Sequence, residues 1–249
     1  MRARLNQIVR DVVRDHRAEA LDLHAAFPVR AGDIVMLGDS LTADGDWAGA
    51  FPGLPMRNRG IGGEVSAKTS ERLGEITDGV PATIFLMIGT NDLATGVELT
   101  ELGTSVATII DRIEAQSPAT RIVLQSLLPR ADRLNSKVGE ANLSLRRIAA
   151  DRNVTYLDLH HDFADHRGRL HPSLAIDGVH LNGAGYTLWV NRLRPMMQYP
   201  AVSGETVSAN AQPPTADSGP AAGTDVDAPA AEEVVVDLRT ASEAAASES

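Results

Sequence analysis

The sequence contains no cysteine, only nine aromatic residues and no long apolar run. Each shortage removes a class of protein. Without cysteine there is no disulfide framework and no thiol nucleophile, while either redox compartment is permitted. No stretch approaches the roughly 18 apolar residues that cross a bilayer. The N-terminus, Met1-Arg-Ala-Arg-Leu-Asn-Gln-Ile-Val-Arg10, never develops the apolar core of a signal peptide. The expectation is a cytoplasmic protein without a membrane span. Nor is there a basic stripe with interleaved aromatics, so nucleic acid is not an expected partner.

What is present divides at one composition break. Residues 1–200 hold every aromatic side chain and 22 of the 23 basic ones, whereas 201–249 is mostly Ala, Pro, Ser, Thr, Val, Asp and Glu. The second segment carries nine acidic residues against the single basic Arg239, a balance of −8, so the formal −10 leaves −2 for the first. With so little large apolar surface the tail cannot offset the entropy of ordering, and the reading is one domain, 1–200, followed by an acidic disordered tail, 201–249.

Within the domain, Leu5, Ile8, Val9, Val12, Val13, Ala20, Leu21 and Leu23 recur mostly at three- and four-residue steps, which predicts a leading amphipathic helix over about 2–26. Its apolar stripe must be covered either by the sheet or by a second copy in a homodimer. Strands are then expected at Asp33–Leu37, Pro55–Arg59 (weaker), Thr83–Ile88, Arg121–Gln125 and Val154–Leu157, with helices over Ser66–Thr77, Glu98–Gln116, Val138–Arg152 and from the capping Asn182 to about Gln198. Alternating strands and helices with continuously apolar strands predict an α/β fold, a five-stranded parallel sheet in a three-layer αβα sandwich. Ligands of such sheets bind beyond the carboxyl ends of the strands.

At the first of those ends stands Gly38-Asp39-Ser40-Leu41-Thr42, a hydroxyl on a tight turn. A serine hydroxyl needs a base, itself held by a third group, before it is a nucleophile. Of the seven histidines, His16 and His24 fall on the leading helix as surface or interface residues, and His160, His161, His166 and His171 crowd a polar stretch without zinc-motif spacing. His180 differs. In Asp177-Gly178-Val179-His180 the three-residue spacing lets Asp177 reach one ring nitrogen while the other faces outward. Two further loops, Asn58-Arg59-Gly60-Ile61-Gly62-Gly63-Glu64 and Gly89-Thr90-Asn91-Asp92, follow the second and third strands. Close-approaching backbone N–H groups and an uncharged amide are suited to an oxyanion hole.

Taken in order, these four blocks resemble the SGNH, or GDSL, hydrolase superfamily, over about residues 33–190 and in words such as Phe85-Leu-Met-Ile-Gly-Thr-Asn-Asp92 and Asp177-Gly-Val-His-Leu-Asn-Gly-Ala-Gly-Tyr186. The wording is similar to the branch of platelet-activating-factor acetylhydrolase catalytic subunits and carbohydrate O-acetylesterases. The resemblance implies a flavodoxin-like SGNH hydrolase fold, no metal or other cofactor, and a small-molecule ester substrate. It implies Ser40 as nucleophile, His180 as base, Asp177 as the group orienting it, and an oxyanion hole of the Ser40 and Gly63 N–H groups with the Asn91 side chain. One departure is Glu64, where many members have Asp after the glycine, which affects how that loop is braced.

Other readings of the same residues are weaker. Ser40 alone reads as a turn or cap serine, and a non-catalytic binding module on the same fold is the alternative to an esterase. Gly62-Gly-Glu-Val-Ser-Ala67-Lys68-Thr69 approximates a P-loop, but Ala67 replaces the required glycine. Trp47 and Leu127-Leu128 suit either an acyl pocket or the core.

Overall fold

The computed structural model describes residues 16–197. Five strands form its sheet: β1 (Ile34–Gly38), β2 (Met56–Gly60), β3 (Thr83–Met87), β4 (Arg121–Gln125) and β5 (Thr155–Leu157). All pairings are parallel, in the order β2-β1-β3-β4-β5. Every residue of β1 is buried, as a strand covered on both faces must be. β2, on the edge, alternates less cleanly and leaves Arg57 and Asn58 half-buried.

The helices lie where right-handed crossovers put them. A leading helix α1 is seen over residues 16–26. The short α2 (Ser40–Ala43) and α3 (Trp47–Ala50) link β1 to β2, α4 (Ser66–Glu71) and α5 (Gly74–Thr77) link β2 to β3, and α6 (Thr90–Thr95) and α7 (Leu99–Gln116) link β3 to β4. Then come α8 (Asn135–Asp151), α9 (His160–Phe163) and α10 (Gly183–Leu193). The β2–β3, β3–β4 and β4–β5 connections place α4, α7 and α8 side by side on one face. Leu102, Val106, Ile109 and Ile113 of α7 form the buried stripe there, at helical spacing. On the opposite face Trp47 of α3 meets Trp189 of α10 edge-on at 5.0 Å, and Trp189 donates to Gln125 of β4. The result is a three-layer αβα sandwich with flavodoxin-like strand order.

Boundaries differ from the expected ones for local reasons. The 66–77 helix is two, because the chain turns at Arg72 and Leu73, where the Arg72 side chain is drawn inward. α8 begins at Asn135, earlier than its apolar pattern, since Asn135 accepts from the Arg130 N–H and donates to the Gly168 carbonyl. α10 stops at Leu193 before a 3₁₀ turn holding Pro195, which has no N–H to continue the ladder. The four-residue helices α2, α3 and α9 are too short to leave a periodic pattern. Residues 2–15 of the leading helix and the tail at 201–249 lie outside the described residues. No described helix is long and apolar enough to cross a membrane.

Candidate active site

Because β2 and β3 flank β1 on opposite sides, the crossovers diverge at the carboxyl end of β1. That opening is where such sheets bind ligands, and Ser40 stands at it. Gly38 is needed here: a Cβ on it would lie 2.3 Å from both the Met87 carbonyl oxygen and the Thr42 hydroxyl. Asp39 caps α2, its Oδ1 accepting from the Leu41 N–H at 3.1 Å, which leaves Ser40 as the first residue of the helix. Burial pushes the Asp39 carboxyl up from 3.8 to about 7. Asp39 is therefore a structural cap with a chemical cost.

The structure brings His180 to Ser40 across 140 residues of sequence, with Nε2 3.1 Å from Oγ. On the other side of the ring, Nδ1 lies 2.8 Å from Asp177 Oδ2. An ionised carboxylate only accepts, so the Nδ1–H donates to it and Nε2 is left to accept the Ser40 proton. Asp177 Oδ1 accepts from the backbone N–H groups of Val179 and His180 at 3.0 and 2.8 Å. Those bonds, the His180 N–H foremost and the imidazole next, hold its carboxyl down at about 2. The loop is pinned at both ends: Ile176 N–H donates to the His180 carbonyl, and Ala131 N–H, beyond β4, donates to the Gly178 carbonyl. His180 and Asp177 are 38% and 53% exposed, so the imidazole is open to an incoming substrate.

The other two predicted loops are joined to this one by hydrogen bonds. Ile61 N–H donates to the Gly38 carbonyl, tying the loop after β2 to the nucleophile turn. Gly63 is exposed with φ +71°, a conformation open to glycine. Asn91, on α6, donates from Nδ2 to the Glu64 carbonyl at 3.1 Å, which leaves one amide hydrogen to spare. The next residue, Asp92, is buried and accepts from both the N–H and the hydroxyl of Ser66. Ser40, Gly63, Asn91, Asp177 and His180 thus belong to one hydrogen-bonded set of loops.

Several residues that support this set carried no signal in the sequence. Tyr186 donates to the Leu41 carbonyl at 2.9 Å, fastening α10 to the nucleophile turn. Arg130 is buried and links Thr90, beside Asn91, to Asp132. Glu64 is buried, with Arg72 forked onto Oε2 at 2.8 and 2.5 Å, so the longer acid in place of Asp reaches a buried ion pair. Of the two histidines expected at a surface or interface, His24 is buried against Glu75 at 3.4 Å, and His16 is exposed.

Elsewhere, Trp47, Leu127 and Leu128 are buried in the core. His160, His161 and His166 line a cavity of about 560 Å³ with Arg146 and Asp158, beside α8, and no cluster of metal-ligating side chains occurs among the described residues. Lys68, where a phosphate-binding loop would carry its lysine, is exposed and bonded to Glu71 at 2.7 Å.

The model of the GDSL-like Lipase/Acylhydrolase family matches residues 36–188. Platelet-activating factor acetylhydrolase IB subunit alpha2 of Homo sapiens is 29% identical over 167 residues, covering 62% of this chain and 71% of the relative. A structure from Streptococcus pneumonia described as a platelet activating factor superposes with a TM-score of 0.73 at 25% identity, covering 78% of this chain and 98% of that one. An acetyl xylan esterase shares the fold, with a TM-score of 0.60 at 18% identity over 67% of this chain and 100% of that one. The chain belongs to the GDSL-like lipase/acylhydrolase family and is an ester hydrolase of that type.

Proposed function

We propose that this protein is a serine esterase that hydrolyses carboxylic esters with small acyl groups, O-acetyl groups on carbohydrate among them, through Ser40, His180 and Asp177. The observation that carries the reading is the continuous relay from Ser40 Oγ to His180 Nε2 at 3.1 Å and from His180 Nδ1 to Asp177 at 2.8 Å. Ser40 Oγ attacks the ester carbonyl as its proton passes to His180 Nε2. The negative oxygen that forms is met by the N–H groups of Ser40 and Gly63 and by the second amide hydrogen of Asn91. Collapse breaks the bond to the alkoxy oxygen, which takes the proton from His180 and leaves as the alcohol. Water then repeats the sequence on the acyl-enzyme, releasing the acid and restoring Ser40. Asp177, ionised down to about pH 2, holds the imidazole in the tautomer that accepts, and stabilises the imidazolium.

Two observations favour a small acyl group. Trp47, Leu127 and Leu128 are spent in the core, and the connections between strands are made of the crossover helices, with no inserted lid among the described residues. The names acetylhydrolase and acetyl xylan esterase among similar proteins agree. A panel of p-nitrophenyl esters from acetate to decanoate tests this, with Ser40→Ala and His180→Ala each expected to lower turnover by at least about 10⁴-fold. A rate maximum at eight carbons or longer refutes the small acyl group. Failure of a fluorophosphonate to label Ser40 in the folded protein refutes the esterase reading. We further propose that residues 201–249 are dispensable for activity, so that a chain ending at 200 turns over at the rate of the full one.

A further inference from the structure

The leading helix lies outside both the alternating strand–helix pattern and the family-matched segment at 36–188, yet its Arg17 reaches the side chain of Glu64, the residue after Gly63. Glu64 follows Gly63 directly, and its backbone holds both parts of that hole: the Glu64 N–H donates to the Ile61 carbonyl, closing the turn that displays Gly63, and its carbonyl accepts from Asn91. Its side chain is fully buried between two arginines. Arg72 takes Oε2 with Nε and Nη2, and also bonds Glu75 and the Arg59 carbonyl. Arg17, from α1, stands 3.4 Å from Oε1, and neither Arg17 Nε nor Glu64 Oε1 has a hydrogen bond among the described residues. The contact on that side is therefore one of charge. Seven residues along α1, two turns and so on the same face, His24 meets Glu75 at 3.4 Å. α1 thereby touches the linked Glu64, Arg72 and Glu75 side chains at two points.

We propose that Arg17 and Arg72 form a two-sided clamp on Glu64, making α1 a positioning element of the oxyanion hole. The inference rests on the esterase reading above. A buried carboxylate with an unneutralised oxygen draws water or turns toward it, and whatever part of that shift reaches the Glu64 backbone moves the Gly63 turn and the Asn91 amide bonded to it. Displacements of about 1 Å at a reacting centre cost up to about 10²-fold in rate. Because the hole acts on the transition state and not on the bound ester, the loss falls on kcat and leaves KM in place.

Arg17→Met tests this on the full chain with p-nitrophenyl acetate. The expected result is a fall in kcat of about tenfold with KM within about twofold. Affinity for an alkyl trifluoromethyl ketone, whose serine adduct carries an oxyanion, should weaken in parallel. Arg17→Lys restores kcat to within about threefold, since a charge is all that the contact uses, whereas Arg72→Lys does not, since a lysine cannot replace a fork. Arg57→Met is the control. Arg57 is as exposed as Arg17, 28%, and pairs with the buried Asp33 at 2.7 Å beside the opposite end of β1; its loss should lower Tm and leave kcat unchanged. Arg72→Met risks unfolding, so the surface-reaching Arg17 carries the test by itself. An active wild type whose Arg17→Met variant keeps its kcat, or loses rate only in step with Tm as Arg57→Met does, overturns the clamp and leaves the esterase standing. A folded wild type that neither cleaves esters nor labels at Ser40 overturns both.

Discussion

Asp39 carries a proton-linked cost that a single substitution can expose. Its side chain is 1% exposed, one oxygen accepts from Leu41, and the other has no partner among the described residues. Burial is the main cause of its rise from 3.8 to about 7, with Asp92 and Glu64 adding to it and Leu41 and His180 opposing. Below pH 3.8 the folded and unfolded chains both hold this proton, and Asp39 costs nothing. Between 3.8 and about 7 the unfolded chain releases it while the folded chain keeps it, so stability falls as pH rises. Above 7 the full difference is present. At about 1.4 kcal/mol for each pH unit, the gap amounts to about 4 kcal/mol. Asn at this position keeps an acceptor for the Leu41 N–H and has no charge to desolvate. Urea unfolding of wild type and Asp39→Asn from pH 4 to 8 should therefore show near-equal stability at pH 4 and a lead for the variant that grows to about 4 kcal/mol at pH 8. The corresponding gain in Tm is about 8 to 16 °C for a domain of this size. Groups that do not interact with Asp39 are common to both proteins and cancel in the difference. Stability curves that stay parallel across pH, or a variant weaker at pH 8, would refute the reasoning.

Three further outcomes follow from single contacts. Asn91→Ala should lower kcat by roughly 10² to 10³-fold with KM little changed, as removal of one oxyanion donor does; steady-state kinetics on p-nitrophenyl acetate would show it, and a loss under fivefold would take Asn91 out of the hole. Tyr186→Phe removes the bond to the Leu41 carbonyl and should cost about 1 kcal/mol of unfolding free energy. Gly38→Ala forces a Cβ to within 2.3 Å of the Met87 carbonyl, and thermal melting should drop by several degrees, on the order of 3 kcal/mol; an unchanged Tm would show that β1 and β3 can part more easily than their register suggests.

Much of the fold was legible along the chain because it is written in local periodicity. The four apolar runs and the weaker extended piece at 55–59 became five strands, the last of these as β2 on an edge of the sheet, and α7 begins and ends within a residue of its expected bounds. A strand buried on both faces has to be continuously apolar, so Ile34-Val-Met-Leu37 and Thr83-Ile-Phe-Leu-Met87 declared themselves. The short helices did not, since four residues complete barely one turn. The Arg72 break escaped as well, because the pattern around it is helical and the partner that pulls it inward is Glu64, eight residues earlier.

The same distinction governs the site. The residue types at the strand ends, and their order as Ser40, Gly63, Asn91 and then Asp177 with His180, are properties of the sequence alone. So is the Asp177 contact with His180, an interaction across three residues that a turn can close by itself. Only the tertiary structure set His180 Nε2 at 3.1 Å from a serine 140 residues away, assigned Tyr186 to the nucleophile turn, and gave Arg17 and His24 of the leading helix their acidic partners, the buried Glu64 and the half-buried Glu75. Contacts between neighbours in sequence follow from local geometry and residue type. Contacts between charges on separate elements depend on where the whole sheet delivers them, and a solvated arginine and a clamping one are spelled with the same letter.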